Sequence, residues 1–371
     1  MNRKFFAVAA MMLLMPLMMG AQTLKGSYFL DNSLNRNKLN PAFAPSSGYF
    51  QIPVIGNTSV GLMSNLDLQT FMYPMNGQLY TFLNKNVTME QFDAALADKP
   101  HFDMAADVNL INLGWKGGEK GFWTVDLGVR INVDTDLPRD LFTFMKKGTG
   151  TAGTYNIGAV KANAAASVQA AVGYSRDLSD LVPGLRAGAK VRAILPVAYA
   201  GLDLTEVSLS TSPEKWTVAT DGTLSTAVKG LQMAGADGKI SPSMNGSMGL
   251  SGFGFSFDLG AEYKLDFDGF INGVSVSAAL TDLGVVSYSA GEQYRTNGKM
   301  DWTGLSISLQ EGAMEGAMDE LKNEFSNLLS LSKGAEASFT RSTLPSFYLG
   351  AEMPFMDNKM SVGALFSSRK S

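Results

Sequence analysis

One histidine, His101, and no cysteine in 371 residues leave little for acid–base or nucleophilic chemistry. Common zinc sites and Cys–His pairs are out of reach of such a set. His101 follows Pro100 and reads as a solvated loop histidine, not a general base. No G-x-S-x-G elbow occurs, and Gly238-Lys239 runs into Ile240 where a phosphate-binding loop needs Ser or Thr. Gly252-Phe-Gly254 lacks the third glycine of a dinucleotide fingerprint and falls inside a strand pattern. Two acidic clusters, Asp134-Thr-Asp136 and Asp266-Phe-Asp268-Gly269, read as turns at strand ends, because neither has the ligand spacing of a calcium loop. No catalytic residue, metal ligand or cofactor site emerges, and an enzyme is not expected.

The charges that are present sit in register. Asp126 and Arg130, Lys190 and Arg192, and Glu262 and Lys264 occupy the polar phase of segments whose other phase is apolar. Between Gly121 and Asp134, Trp123, Val125, Leu127, Val129, Ile131 and Val133 share one face, against Thr124, Asp126, Gly128, Arg130, Asn132 and Asp134. Phe253, Phe255, Phe257, Leu259, Ala261, Tyr263 and Leu265 alternate in the same way with Gly254, Ser256, Asp258, Gly260, Glu262, Lys264 and Asp266. Such period-2 runs of about 12 residues exceed the roughly 5–6 of a soluble strand and match a tilted membrane-crossing one. Charge is costly against lipid, so the charged phase is expected to face a lumen. There it reads as a salt-bridge ladder filling a barrel, in preference to a polar solute pathway.

Weaker alternation covers Ala166–Ser175, Leu185–Leu195 after a turn at Pro183-Gly184, Val274–Thr281, and Phe347–Phe355 turning at Asp357-Asn358 into Met360–Phe366. Asp221-Gly222 reads as a type I′ hairpin turn. A large soluble sandwich alternates too. Strand length, and aromatics near strand ends (Trp123, Tyr174, Phe253, Tyr263, Phe347), favour an all-β fold of the transmembrane antiparallel barrel type. Three segments break the pattern: a capping-box helix from Thr88 through Ala97, Pro138 to Lys147 closed by Gly148, and an amphipathic stretch from Glu311 to Ser332.

The amino terminus supplies the address. Arg3 and Lys4 precede an apolar run from Phe5 to Met19, and Gly20-Ala21 follows, the order of a cleaved secretory signal peptide over residues 1–21. The run is short of the roughly 20 residues a spanning helix needs. Gly is 39 of 371 residues and charged residues only 17%, a composition that suits long strands better than a soluble helical core. The net charge of −4 offers no basic footprint for nucleic acid.

Between the leader and the first strand lies a polar, Asn-rich segment ending in Asn40-Pro41-Ala42. That tripeptide, in that position, resembles the motif near the amino terminus of FadL-type fatty-acid transporters and the related PorV proteins. Further stretches are similar to a Bacteroidota family of outer-membrane proteins of unknown function that is distantly FadL-like. They are Leu137-Pro-Arg-Asp-Leu-Phe142, Val172-Gly-Tyr-Ser-Arg176, Gly188-Ala-Lys-Val191, Leu280-Thr-Asp-Leu-Gly284, and Leu344-Pro345 with Leu349-Gly-Ala-Glu352. The resemblance implies a barrel of about 12–14 strands over 49–371, within the range of bacterial examples, and an internal hatch over 22–48 built on Asn40, Pro41 and Ala42. One departure stands out: the chain stops at Ser367-Ser-Arg-Lys-Ser371, where such barrels close on a terminal aromatic. Either Met360–Phe366 pairs directly with the first strand near Tyr49 to Val60 or, the favoured expectation, the chain is truncated at its carboxy terminus.

The combined expectation is a cell outer-membrane barrel in contact with lipid. It would act as a passive channel or carrier for a small hydrophobic molecule, without cofactor or nucleic acid. The alternative is a structural or partner-binding barrel serving a secretion system or surface complex.

Overall fold

The structure, a computed structural model, describes residues 24–31, 33–51, 58–75, 77–148, 152–212, 215–234, 240–244, 249–289, 291–296, 298–302, 331–336, 338–356 and 359–369. The expected leader lies outside these residues. So does the amphipathic helix expected from Glu311, except that Leu331 and Ser332 open a strand.

In chain order, β1 (Tyr49–Gln51) and β2 (Thr58–Ser64) precede helix α1 (Leu68–Phe71), the hairpin β3 (Met72–Met75) and β4 (Gln78–Thr81), and helix α2 (Met89–Ala95). Next come β5 (His101–Lys116), β6 (Gly121–Asp136), helix α3 (Arg139–Lys147), β7 (Gly153–Asn156), β8 (Val160–Asp177) and β9 (Leu185–Thr211). They are followed by β10 (Trp216–Val228), β11 (Leu231–Ala234), β12 (Ile240–Met244), β13 (Gly252–Asp266) and β14 (Gly273–Tyr288). The last are β15 (Gly291–Thr296), β16 (Lys299–Trp302), β17 (Leu331–Glu336), β18 (Phe339–Ser342), β19 (Ser346–Phe355) and β20 (Met360–Arg369).

The chain is all-β, and one antiparallel sheet of 16 strands dominates it. Its main path runs β1-β5-β6-β8-β9-β13-β14-β19-β20. Among the described residues that is nine staves, where the resemblance implies about 12–14, because other described strands extend one end of the wall instead of widening it. β10, β15, β16 and β17 build out from the far half of β9, and β18 from the far half of β14. Each neighbour on the path is antiparallel, so β1 and β20 run the same way, and a seam joining them directly would be parallel. Among the described residues no pairing joins them.

The sheet curls on itself. Arg130 on β6 bonds Asp282 on β14, although β8, β9 and β13 lie between them along the path. Arg369 on β20 likewise reaches Asn132 on β6. The face inside the curl is the polar one. On β13, Ser256 and Asp258 are 0% and 1% exposed, while Phe253 and Leu259 on the other phase are 56% and 55% exposed. This is the reverse of a water-soluble sheet.

The two ends of the wall differ. At one end the strands are joined by short turns, at 117–120, 178–184 and 267–272, and only four positions separate β19 from β20. At the other lie the helices, the strand extensions and the long connections. There α2 is capped by Thr88, whose hydroxyl accepts from the Gln91 backbone while the Gln91 side chain accepts from Thr88. α3 stops at Gly148, whose φ of 68° suits glycine. Phe82, Phe92, Leu96 and Phe142 knit the helices and the β3–β4 hairpin into one small apolar cluster.

Two local expectations are corrected. Asp221-Gly222 does not turn the chain: β10 runs straight through it, paired on both sides, and takes up the irregularity as a register shift against β9. His101 is not in a loop. It opens β5 opposite Asp136, and its backbone N–H donates to Asn65.

Candidate functional site

The site is the interior of the curl, and its lower part is filled by the chain's own amino-terminal segment. Residues 24–31 and 33–48 make two short helical turns and then lie along the inner wall. Asn40, Pro41 and Ala42 are buried there. The Asn40 amide donates to the carbonyls of Ala261 on β13 (3.1 Å) and Ala278 on β14 (3.4 Å). Its oxygen accepts the Ala42 N–H at 2.9 Å, closing a turn that aims the chain past the wall.

The wall accommodates this with glycine. Gly188 on β9 and Gly260 on β13 are register partners. A Cβ on Gly188 would sit 2.1 Å from the Pro41 carbonyl oxygen, and one on Gly260 would sit 2.0 Å from the Asn40 side-chain oxygen. The pair forms a bare patch onto which Asn40 and Pro41 fit. Tyr28 fixes the start of the segment, its hydroxyl 3.0 Å from Ser277 Oγ and its ring edge-on to Phe43. Arg36 stacks over Phe43 and pairs with Asp31. Asn37 donates to the Tyr49 hydroxyl, which donates in turn to Asn112 on β5. Lys38 bonds Asn109 of the same strand.

Above this segment lies a belt of ion pairs. Lys190 Nζ is 2.7 Å from Asp126. Arg130 bonds Asp107 at 2.6 Å and Asp282 at 2.9 Å. Arg192 bonds Asp258 at 2.9 Å and also reaches Asp282. With Lys38 the belt holds four cations and four carboxylates. That balance is what lets so much charge sit away from bulk water, because Lys190, Arg130 and Arg192 each pair with a carboxylate and Lys38, bonded to Asn109, feels the attraction of Asp126 and Asp107. Lys190 also donates to Asn37, tying the belt to the segment beneath it.

Of the six charges singled out from the strand pattern, Asp126, Arg130, Lys190 and Arg192 therefore meet in one network. Glu262 and Lys264 do not join it. They pair with each other at 3.3 Å near the short-turn mouth, Glu262 buried and Lys264 half exposed. Asp107, Asp258, Asp282 and Lys38 were missed. Asp282 had a readable signal: it falls on the phase of Val274, Val276, Ala278 and Leu280, which should face outward. The chain resolves the conflict with a bulge. Asp282 takes φ 59°, its N–H donates to Asp258, and its carboxylate swings inward. Among the described residues, no group of three or more acidic or histidine side chains is placed to hold a metal ion.

Residues 41–371 match a family described as a family of unknown function (DUF5723), and the chain belongs to it. The match opens at Pro41, inside the tripeptide that lies on the glycine patch. No curated protein matches the chain.

Proposed function

We propose that this family member is an outer-membrane β-barrel, and that it is a conduit for a small solute held shut by its own amino-terminal segment. The observation that carries the reading is the inside-out sorting of side chains. Val172, Val191, Leu259, Val276, Leu349 and Val362, on successive strands from β8 to β20, are all exposed, whereas the opposite phase holds the ion-pair belt. Contiguous apolar surface on that scale is rare on a soluble monomer and is what a lipid-facing wall requires.

The difference between the ends supports an orientation. Bacterial barrels carry short turns on the periplasmic side and long loops outside, which puts the helical cap outside the cell. The amino-terminal segment then enters from the periplasm, where an exported chain begins. Passage would be passive, by binding and release. The described lining is charged, and it suits a polar or amphipathic solute better than the hydrophobic one the resemblance implies.

The test is physical. Protein extracted only by detergent from the outer-membrane fraction, and migrating faster on gels unheated than heated, supports the reading. Recovery from the soluble periplasm would overturn it. A second reading, a barrel that docks a surface partner, is favoured by one feature: the cap exposes Leu68, Leu79, Leu83 and Met145 at the long-loop end.

A further inference from the structure

On the long-loop side of the ion-pair belt the interior opens into a cavity of about 160 Å³. Its floor is Arg130 and Asp282, and its walls carry the apolar side chains Ile194, Pro196 and Val286 beside Tyr199 and Tyr288. A dry cavity on the order of 150 Å³ is large enough to hold benzene. Tyr199, Tyr288 and Phe339 form one aromatic cluster at this wall, with centroids 4.9, 5.4 and 5.0 Å apart.

Two arginines at this cavity differ from those of the belt. Arg130 and Arg192 are each held by two carboxylates. Arg341 and Arg369 make no ion pair among the described residues. Arg341 lies 5.0 Å over the Tyr199 ring. Among the described residues Arg369 donates only to Asn132, at 3.4 Å, and its buried Nε has no partner. Of the two carboxylates lining the cavity, Asp282 is already taken by Arg130 and Arg192, and Asp134 accepts from Asn163. The cavity therefore offers two open guanidiniums beside an aromatic and aliphatic wall.

We propose that this cavity binds a small aromatic anion: one flat apolar ring bearing a carboxylate or a phosphate. A guanidinium meets a planar oxyanion with parallel, charge-assisted hydrogen bonds, and the ring fills the apolar side. A bare anion leaves that wall empty. A neutral ring leaves the guanidiniums unpaired, and a cation is repelled. The site rests on the conduit reading only for the side from which the anion arrives.

The experiment is calorimetric titration of the purified full chain in detergent with benzoate, phenyl phosphate, inorganic phosphate, benzyl alcohol and benzylamine. Saturable binding of the two aromatic anions is expected, about tenfold or more tighter than inorganic phosphate or benzyl alcohol, with none for benzylamine. Arg341→Gln and Arg369→Gln should each weaken benzoate about tenfold, while Lys85→Gln in the cap changes nothing. Thermal melting and heat-shifted gel mobility check that the variants fold. If either does not, the unaltered protein still decides, because affinity for benzoate must fall with added salt while affinity for benzyl alcohol does not. Equal affinity for benzoate and benzyl alcohol, or no binding of either anion by folded protein, overturns the proposal. Binding by a chain that fractionates as soluble would instead overturn the barrel and leave this site standing.

Discussion

The Asn40 carboxamide meets backbone on every side, with two carbonyls for its NH2 and one N–H for its oxygen. A buried amide so satisfied is costly to replace, because Ala would strand the Ala42 N–H in a fully buried site. We expect Asn40→Ala to weaken docking of the amino-terminal segment by about 1–3 kcal/mol, seen as faster proteolysis before Tyr49 while the strands stay protected. Gly188→Ala should act more strongly, since its Cβ meets the Pro41 carbonyl and backbone cannot move aside cheaply. Protection unchanged in both variants would mean that the segment is not held at this patch. Lys38 adds a pH dependence. Burial pushes its ammonium down from 10.5 to about 8, only partly offset by Asp126 and Asp107, with Lys190 and Arg130 opposing the charge further. Released from the wall, it returns towards the ordinary value and binds a proton that the docked form has lost. Between pH 8 and 10.5 docking should therefore tighten as pH rises. Proteolysis of the segment should slow over that range, and Lys38→Met should remove the slope.

Along β6 the same strand carries both solvents of the reading. Leu127→Arg, on the outward phase, should cost about 2–4 kcal/mol near a bilayer midplane. Arg130→Leu leaves Asp107 and Asp282 without their shared partner, so it should cost about 3–5 kcal/mol, as much as the outward charge or more. Refolding into vesicles under a urea gradient measures both, and a nearly silent Arg130→Leu would show that the belt is solvated. β6 and β13 were legible because their alternation is unbroken from end to end. Capping residues also announced α2 and α3, since those are local chemistry. What could not be read were the phase changes. In β9, Lys190, Arg192, Ile194 and Pro196 point inward, but a bulge opposite Ala166 and Ser167 shifts the set so that Tyr199 points inward next. A one-residue slip exchanges the two faces, and it is decided by pairing with β8, which no single strand encodes. The same holds at Asp282, and at Asp221-Gly222, where β10 has partners on both sides and a local turn signal is overridden. The cavity beyond the belt combines β6, β8, β9, β14, β18 and β20, so its arginines had no common signature in the sequence.

At the scale of the molecule, the conduit reading puts two barriers in series across the interior. The amino-terminal segment touches β5, β9, β13, β14, β19 and β20 through Asn109, Gly188, Ala261, Ser277, Gly350 and Gly363, so it fills the short-turn side of the curl. The ion-pair belt crosses from β6 to β14 above it; Lys38 and the Lys190–Asn37 bond tie it to the segment, but the pairs of Lys190, Arg130 and Arg192 with Asp126, Asp107, Asp258 and Asp282 are made by the strands alone. These barriers should fail separately. Deleting Gln22 to Ala44 should leave a folded, heat-modifiable protein whose conductance in planar bilayers rises only modestly, because the belt still spans the passage. Adding Asp282→Asn to the deletion removes the one carboxylate shared by Arg130 and Arg192, and should raise conductance further and favour anions. Asp282→Asn alone should do little while the segment stays docked. Equal conductance for the intact and deleted chains would show that the segment closes nothing, and that the belt alone shuts the path. A fully open channel on deletion alone would show the reverse, with the belt too loose to act as a barrier.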